Sequence, residues 1–448
     1  MAGAGPRTRA GRRNDGIAGP DARGQPRSLG EHATYRASPL SHHSRPGIPV
    51  PHPAAQPPGP TQDMKKLLVL GSTGSIGLQT LDLVRRAASG LGVVGLAAGS
   101  SWETLRDQIL EFKPAFAALA DPAAAAQLAR VIPPTTKLFA GHEALEELCR
   151  AADYNVAVHG VVGAAGLAAS AAVLEGGHTL ALANKESLVI AGALLMELAR
   201  EKGATIVPVD SEHAAIHQCL RGESLESVRR VLLTASGGPF LDKPLDELAA
   251  VTPDLALRHP NWDMGPRVTV GSATLMNKAL EVIELHHLFG LSRERIEVVV
   301  HPQSIVHSMV EFVDGSVMAQ MGPPDMRLPI HCAIHDPQRA PTNLKGFDVT
   351  SFNGLTFREP DLERFPALAL GYRCLDEGQD SGAVLNAADE VAVEAFLAGN
   401  LAFDRIAPLN EAVLDRRPGH FESLAELLSS DAQARALARA DIAAHLAH

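Results

Sequence analysis

The chain has 448 residues, 46% hydrophobic and 20% charged, with a formal net charge of −11, an ordinary composition for a globular protein of two or three domains. An acidic body argues against nucleic acid as the main partner, because phosphate backbones are held by clustered Lys and Arg. Cys149, Cys219, Cys332 and Cys374 lie far apart with no Cys-x-x-Cys spacing, which argues against a disulfide framework or a thiolate zinc site and makes the reducing cytoplasm the expected location.

Residues 1–63 hold eleven Pro, nine Gly and eight Arg against four acidic residues. With no apolar face to offset ordering entropy, they are expected to form a disordered extension before a start at Met64. An Arg-rich, acid-poor leader also fits an organelle transit peptide, but this one has four Ser and no evident amphipathic helix.

From Met64, strand and helix alternate. Strands are expected at Lys66–Leu70, Gly92–Ala97, Ala115–Ala120, Val156–Val162, Thr179–Leu182 and Thr205–Val209, with helices such as Leu78–Ala88 and Pro122–Val131 between them. That alternation implies a parallel sheet covered on both faces. The apolar stretch from Val156 to Leu174 is mostly Ala, Gly and Val with His159 inside, too weak for a membrane span.

After about Asp210 the texture changes. Strands Val228–Thr234, Ile296–Val300, Ser308–Phe312 and Val317–Gln320 surround a helix over Thr274–Phe289, and Val313–Ser316 reads as a hairpin turn. From about Glu363 the helical period dominates, over Ala367–Glu377, Gly382–Ala398, Ser423–Leu428 and Ala432–Leu446. The expected organisation is α/β: an N-terminal Rossmann-like parallel-sheet domain over 64–210, an α+β domain over 211–335 with a flexible lid loop at about 237–266, a linker over 336–362, and a small C-terminal helical domain over 363–448.

Four stretches carry chemistry. Gly71-Ser-Thr-Gly74-Ser-Ile-Gly77 joins a strand to a helix, where glycines admit a pyrophosphate and the helix N-terminus offers it N–H groups. Gly99-Ser100-Ser101 ends the second strand where an NAD enzyme places a carboxylate on the ribose; its absence favours NADP, although the nearest cation in sequence is Arg106. Val207-Pro-Val-Asp210-Ser-Glu212-His213 sets two hard oxygens beyond a parallel strand, which suits a divalent ion, while the plainer reading is an acidic helix N-terminus. A competing zinc reading would pair His213 with His217 at i, i+4.

Gly271-Ser272-Ala-Thr-Leu-Met-Asn277-Lys278-Ala-Leu-Glu281 places an amide, an ammonium and a carboxylate on one helical face. With Ser272 near the helix start, the first three make a phosphate cradle and Glu281 can complete the metal site; the plainer reading is a solvated Lys–Glu pair. Finally, Thr234-Ala-Ser236-Gly237-Gly238 followed by His259-Pro-Asn-Trp262-Asp-Met-Gly265 has flexible glycines at its root and an aromatic at its tip, as a lid that excludes water requires.

With Leu182-Ala-Asn184-Lys185-Glu186-Ser187 and His301-Pro-Gln-Ser…His307-Ser-Met added, these motifs in this order closely resemble the 1-deoxy-D-xylulose 5-phosphate reductoisomerase family over 64–448. The resemblance implies an NADPH- and metal-dependent enzyme of isoprenoid precursor biosynthesis, a homodimer whose catalytic domain carries the dimer contact. It would rearrange 1-deoxy-D-xylulose 5-phosphate to an aldehyde and reduce it to 2-C-methyl-D-erythritol 4-phosphate, with Mg²⁺, Mn²⁺ or Co²⁺ as the cation. Carried over by motif, Asp210, Glu212 and Glu281 would hold the metal, and Ser236, Ser272, Asn277 and Lys278 the phosphate. Thr73, Gly74, Ser75, Ile76, Gly99, Asn184, Glu186 and Gly265 would line the cofactor. Lys185, Glu212, His213 and His259 would act in catalysis beside His307, Ser211 would contact substrate hydroxyls, and Trp262 would close over the substrate.

Three positions depart from the family pattern: Gly271 for a usual Asp, Ala279 for a frequent Gly, and Asp389 for a common Asn. None is a metal or phosphate ligand in that pattern, so they bear on local packing. The alternatives are a generic NADP-linked dehydrogenase of a small phosphorylated substrate, which needs no phosphate cradle beside three acidic ligands, and a non-enzymatic dinucleotide sensor, which could dispense with Lys185, Glu212 and Glu281.

Overall fold

A computed structural model describes residues 64–446 apart from 88–89, 263, 347, 349, 351–353, 418, 420 and 422; the expected extension 1–63 lies outside the described residues. The first half alternates without exception: β1 (Lys65–Leu70), α1 (Ser75–Arg86), β2 (Leu91–Ala98), α2 (Trp102–Phe112), β3 (Phe116–Leu119), α3 (Pro122–Leu128), β4 (Lys137–Ala140), α4 (Ala144–Ala151), β5 (Val156–His159), α5 (Leu167–Glu175), β6 (Thr179–Leu182), α6 (Lys185–Lys202) and β7 (Thr205–Pro208). The strands form one parallel sheet in the order β4-β3-β2-β1-β5-β6-β7. Leu67 to Leu70 have no solvent exposure, as a strand covered by helices on both faces requires.

The order reverses between β1 and β5, and an open parallel sheet binds ligands at the carboxyl ends of its strands beside such a reversal. Register fixes that edge. Leu70, His159, Leu182 and Pro208 are successive partners across β1, β5, β6 and β7, so the glycine turn, the Asn184–Lys185 turn and the Asp210 turn all leave the sheet on one side.

The second half contains α7 (Ser211–Cys219), β8 (Val228–Ala235), α8 (Pro253–Ala256), α9 (Pro266–Ala273), α10 (Met276–Phe289), β9 (Ile296–Val300), β10 (Val306–Phe312), β11 (Val317–Met321) and α11 (Arg327–His335). Its sheet runs β11-β10-β8-β9, antiparallel except for β8–β9. The hairpin between β10 and β11 closes where expected, with Gly315 at φ +85°. Then come α12 (Ala367–Glu377), α13 (Ser381–Leu397), α14 (Ile406–Leu414) and α15 (Leu424–Leu446), whose apolar faces share one core with α9 and α10 through Val270, Met276, Ile283, Leu385 and Phe396.

Several expected boundaries are corrected. The strand expected over Val156–Val162 ends at His159, because Gly160 must pass the Ile76 side chain at a distance that leaves no room for a Cβ. The helix expected over Thr274–Phe289 is α10, which starts two residues later at Met276 after Leu275 turns at φ +58°, and a separate short helix, α9, precedes it. The two C-terminal segments expected at Ser423–Leu428 and Ala432–Leu446 are one helix. The edge strand β4 and the helices α4, α11 and α14, none longer than nine residues, were not among the expected elements.

Candidate active site and metal centre

Local chemistry explains how the site residues are presented. Gly71 turns at φ +79°, and a Cβ there would lie 2.8 Å from the Gly160 carbonyl oxygen, so this turn and the one after β5 touch backbone to backbone. The turn ends on Gly74 as the N-cap of α1, leaving the first helical N–H groups without intrahelical acceptors. Asn184 caps α6 by accepting the Ser187 N–H at 3.1 Å, and its amide donates to the carbonyls of Val161 at 2.7 Å and Gly163 at 2.9 Å. It is thus a clamp on the loop after β5. Asp210 caps α7 by accepting the Glu212 N–H at 3.2 Å, so the plain helix-cap reading and the ligand reading hold for the same residue.

These turns open on one cavity of about 400 Å³, lined among others by Gly74, Ser75, Ile76, Lys185, Asp210, Glu212, Ser236, Trp262, Ser272 and Glu281. Ser211, His259, Gly265, Asn277, Lys278 and Glu186 also line it, whereas Thr73 and Gly99 stand outside its wall. Arg106 is held along α2 by Asp107 at 2.7 Å and by the Trp102 ring.

At the cavity's acidic end, oxygens of Asp210, Glu212 and Glu281 lie within 4.8 Å of one another. Two ammonium groups thread this cluster. Lys185 Nζ donates to Asp210 Oδ2 at 2.6 Å and Glu281 Oε1 at 2.9 Å, and Lys278 Nζ donates to Glu212 Oε1 at 3.1 Å and to Glu281 Oε2. Ser211 donates to Glu212 and Asn277 to Glu281. Burial alone would lower Lys185, but Asp210 and Glu281 hold it well above its ordinary value. Burial pushes Asp210 up and is overcome by Lys185 and His213, which keep that carboxylate well below its usual range. Glu212 is pushed up to about 7, by burial first and then by the neighbouring carboxylates against the pull of Lys278. Three convergent hard oxygens fit a divalent cation.

The zinc pairing is not formed. His217 Nε2 faces Asp336 Oδ1 at 2.9 Å, and among the described residues no candidate ligand group contains it. His213 points inward instead, Nδ1 to Asp210 Oδ1 and Nε2 to the Glu281 carbonyl, each at 3.0 Å.

The opposite end offers neutral donors. His259 Nδ1 accepts the backbone N–H groups of Asn261 at 3.1 Å and Trp262 at 3.0 Å, and burial lowers its pKa. The neutral ring therefore carries its proton on Nε2 and donates to Ser236 Oγ at 3.0 Å and Ser272 Oγ at 3.2 Å. The expected four-residue phosphate set is thus divided: Ser236 and Ser272 meet at His259, while Asn277 and Lys278 turn to the carboxylates. Ser272 also sits at the end of α9 rather than at a helix start, so the helix-dipole contribution expected there is withdrawn.

The loop over the cavity is anchored at both ends. Asn261 donates to the Pro302 carbonyl at 2.6 Å, and the Trp262 ring lies 6.1 Å from His307. At its far root Arg267 donates to Glu186 at 2.9 Å, Glu390 at 2.6 Å and Asn386 at 2.8 Å. Sequence reasoning missed Arg267 and Glu390, as well as Glu284 behind His213; the one local signal was Glu284 three residues after Glu281 in the otherwise apolar stretch Ala279–Leu285. The departures fit their surroundings. Ala279 is fully buried where α10 meets α12 backbone to backbone, and a Cβ on Gly371 would lie 2.4 Å from the Ala279 carbonyl oxygen. A Cβ at Gly271 meets ordinary contacts. Asp389 lines the cavity and accepts from Asn410 at 3.1 Å, its carboxyl pushed up to about 6 by burial.

The family model for 1-deoxy-D-xylulose 5-phosphate reductoisomerase matches residues 67–192, and models of that enzyme's C-terminal domains match 206–289 and 321–437. The reductoisomerase of Geobacter metallireducens is 49% identical over 84% of this chain and 98% of its own length, and that of Prosthecochloris aestuarii is 48% identical over 84% and 99%. The chain belongs to the 1-deoxy-D-xylulose 5-phosphate reductoisomerase family. Among solved structures, the Zymomonas mobilis reductoisomerase in complex with NADPH aligns with a TM-score of 0.78 at 41% identity, over 85% of this chain and 99% of that one. A reductoisomerase in complex with NADPH, fosmidomycin and magnesium aligns with a TM-score of 0.81 at 38% identity, over 85% and 98%.

Proposed function

We propose that the protein is an NADPH- and divalent-metal-dependent reductoisomerase that converts 1-deoxy-D-xylulose 5-phosphate to 2-C-methyl-D-erythritol 4-phosphate. The observation that carries this reading is the convergence in one cavity of the α1 N-terminus, three carboxylates and, at the far end, the Ser236–Ser272–His259 donors. A plain dehydrogenase site has no use for the last two together.

Bound there, the cation would supply Lewis-acid polarisation of adjacent substrate oxygens and NADPH the hydride. The chain supplies the rest. Asp210, Glu212 and Glu281 hold the cation. Lys185 donates to both Asp210 and Glu281, helps keep Asp210 ionised, and would stand beside the oxygens that the cation polarises. Ser236 and Ser272 grip the anionic end with His259, and Lys278 and Asn277, one turn from Glu281, serve whichever anion is nearer. Phosphate binding away from the reacting carbons can then drive closure of the Trp262 loop, because remote binding energy is available for orientation. Gly74, Ser75 and Ile76 receive the cofactor pyrophosphate, with Thr73 and Gly99 at the same sheet edge; Glu186 and Asn184 shape the wall toward its nicotinamide, and Gly265 the loop above.

The same reading assigns cofactor binding to 64–210, metal and substrate chemistry to 211–335, and lid support to 363–448, in a cytoplasmic homodimer. Among the described residues no helix is long and apolar enough to cross a membrane. The test is loss of NADPH absorbance on adding 1-deoxy-D-xylulose 5-phosphate, with and without chelator. Chelator-sensitive oxidation that yields the branched product is expected. Reduction without carbon movement would select the generic dehydrogenase instead.

A further inference from the structure

Arg267 and Glu390 have no part in the chemistry above, yet they close a junction against the cofactor end of the cavity. Arg267 lies in the first turn of α9, two residues after Gly265, and lines the cavity. Its Nη1 donates to Glu186 Oε1 at 2.9 Å and to Glu390 Oε1 at 2.6 Å. The same two oxygens accept consecutive backbone N–H groups of the loop after β5, Glu186 that of Gly163 and Glu390 that of Ala164, each at 3.1 Å. One guanidinium nitrogen thus fixes two carboxylates, and the carboxylates fix the loop. Gly163 shows how tightly: it turns at φ +78°, and a Cβ there would lie 2.9 Å from Glu390 Oε1 and 3.2 Å from Arg267 Nη1.

The loop matters for what it touches on its other side. Gly160, Val161 and Val162 line the cavity, and the Gly160 carbonyl oxygen backs the Gly71 turn so closely that no Cβ fits between them. Glu186 Oε2 accepts from Asn184, the clamp on the same loop, at 3.1 Å. The outer anchor of the junction is in the C-terminal helices: Glu390, on α13, accepts through Oε2 from Arg435 of α15 at 2.6 Å, and Asp431 holds Arg435 at 2.7 Å. Glu390 itself stands outside the cavity wall, so its influence passes through Arg267 and the loop. The side chains of Arg267, Glu186 and Glu390 are no more than 18% exposed, a setting in which water screens charge poorly. Without the guanidinium, the two carboxylates would repel across a shared gap and carry the Gly163 and Ala164 backbone with them.

We propose that Arg267 and Glu390 are positioning residues for NADPH, the junction through which the C-terminal helices hold the loop after β5 and Glu186 in the arrangement that receives the cofactor. This rests on the reading that places the cofactor against Gly74, Ser75, Ile76 and Glu186.

The experiment titrates NADPH into the full chain by fluorescence and measures Mn²⁺ affinity by electron paramagnetic resonance on the same variants. Arg267→Met should raise the NADPH dissociation constant about 10-fold or more, and Glu390→Ala should do so from outside the cavity. Because both act through one junction, the double variant should lose no more than Arg267→Met alone. Arg267→Lys should bring the affinity back near the wild-type value, since a single nitrogen meets both carboxylates and an ammonium can replace it. Mn²⁺ affinity should hold throughout, as the carboxylate centre is tied by Lys185 and Lys278. Should Glu390→Ala fail to fold, Glu390→Gln keeps the shape, and its NADPH affinity should fall in the same direction. Wild-type NADPH affinity in Arg267→Met or in the folded Glu390 variant would overturn the proposal. A parallel loss of Mn²⁺ affinity, or no recovery in Arg267→Lys, would also overturn it, reducing the junction to general support of the fold. Ser75→Glu, which sets a carboxylate at the start of α1, is the control for the underlying reading: if it binds NADPH like the wild type, the cofactor lies elsewhere and the proposal falls with that assignment.

Discussion

Replacing Lys278 by Met separates two affinities and moves them in opposite directions. In the structure the ammonium is buried and donates to Glu212 Oε1 at 3.1 Å and to Glu281 Oε2, the carboxylates that a divalent ion must use, so metal and ammonium compete for them. A unit charge pair about 4 Å apart at an effective dielectric constant near 20 interacts by roughly 4 kcal/mol before desolvation. Net of desolvation, a hydrogen bond to a charged group is worth about 1.5–3 kcal/mol. Lys278→Met lifts that competition, so Mn²⁺ should bind roughly 10- to 100-fold more tightly in the absence of substrate. The substrate phosphate loses a charge-assisted donor of similar worth, so calorimetric titration of 1-deoxy-D-xylulose 5-phosphate with NADP⁺ and saturating Mn²⁺ should show about 10- to 100-fold weaker binding. Unchanged or weaker Mn²⁺ binding would refute the competition, and unchanged substrate binding would remove Lys278 from the phosphate end.

Three further outcomes are expected. Glu281→Gln should lower turnover by orders of magnitude while circular dichroism and the unfolding midpoint survive; full activity would discard the three-carboxylate centre. Gly371→Ala would drive a methyl to 2.4 Å from the Ala279 carbonyl between α10 and α12, costing about 1–3 kcal/mol in urea unfolding, and an unchanged midpoint would mean these helices are not in close contact. His159 is buried, donates from Nε2 to the Gly166 carbonyl at 2.8 Å and accepts the Val161 N–H. Burial lowers its pKa from 6.5 to about 4, below the unfolded value, so its contribution is fully present above about pH 6.5 and is lost as pH falls toward 4, amounting to roughly 3 kcal/mol. His159→Gln should flatten denaturation midpoints between pH 7 and 4.5, and an unaltered slope would contradict this.

The parts of the site legible in sequence are those in which local pattern and tertiary position coincide. Gly71–Gly77 and Asp210–His213 each directly follow a strand, and strand register alone carries them to the same edge of the sheet. Thr179–Leu182 and Ala367–Glu377 emerge with their expected bounds because apolar runs and caps agree there. What escaped depends on through-space neighbours. The break at Leu275 is enforced by left-handed backbone that a leucine does not signal. The choice of Lys278 for carboxylates over Ser236 and Ser272 is set by burial among three acids, and Arg267 is matched to Glu390 across 123 positions. Glu284 reads as one more polar residue on a helix until its burial is seen.

The most direct measurement uses Mn²⁺ as a relaxation probe. With Mn²⁺ and NADP⁺ both bound, nuclear magnetic resonance of the cofactor should show strong broadening of the nicotinamide protons, and Glu281→Gln should abolish it. Sharp nicotinamide lines with both ligands demonstrably bound would contradict a shared cavity, and with it the proposed reaction.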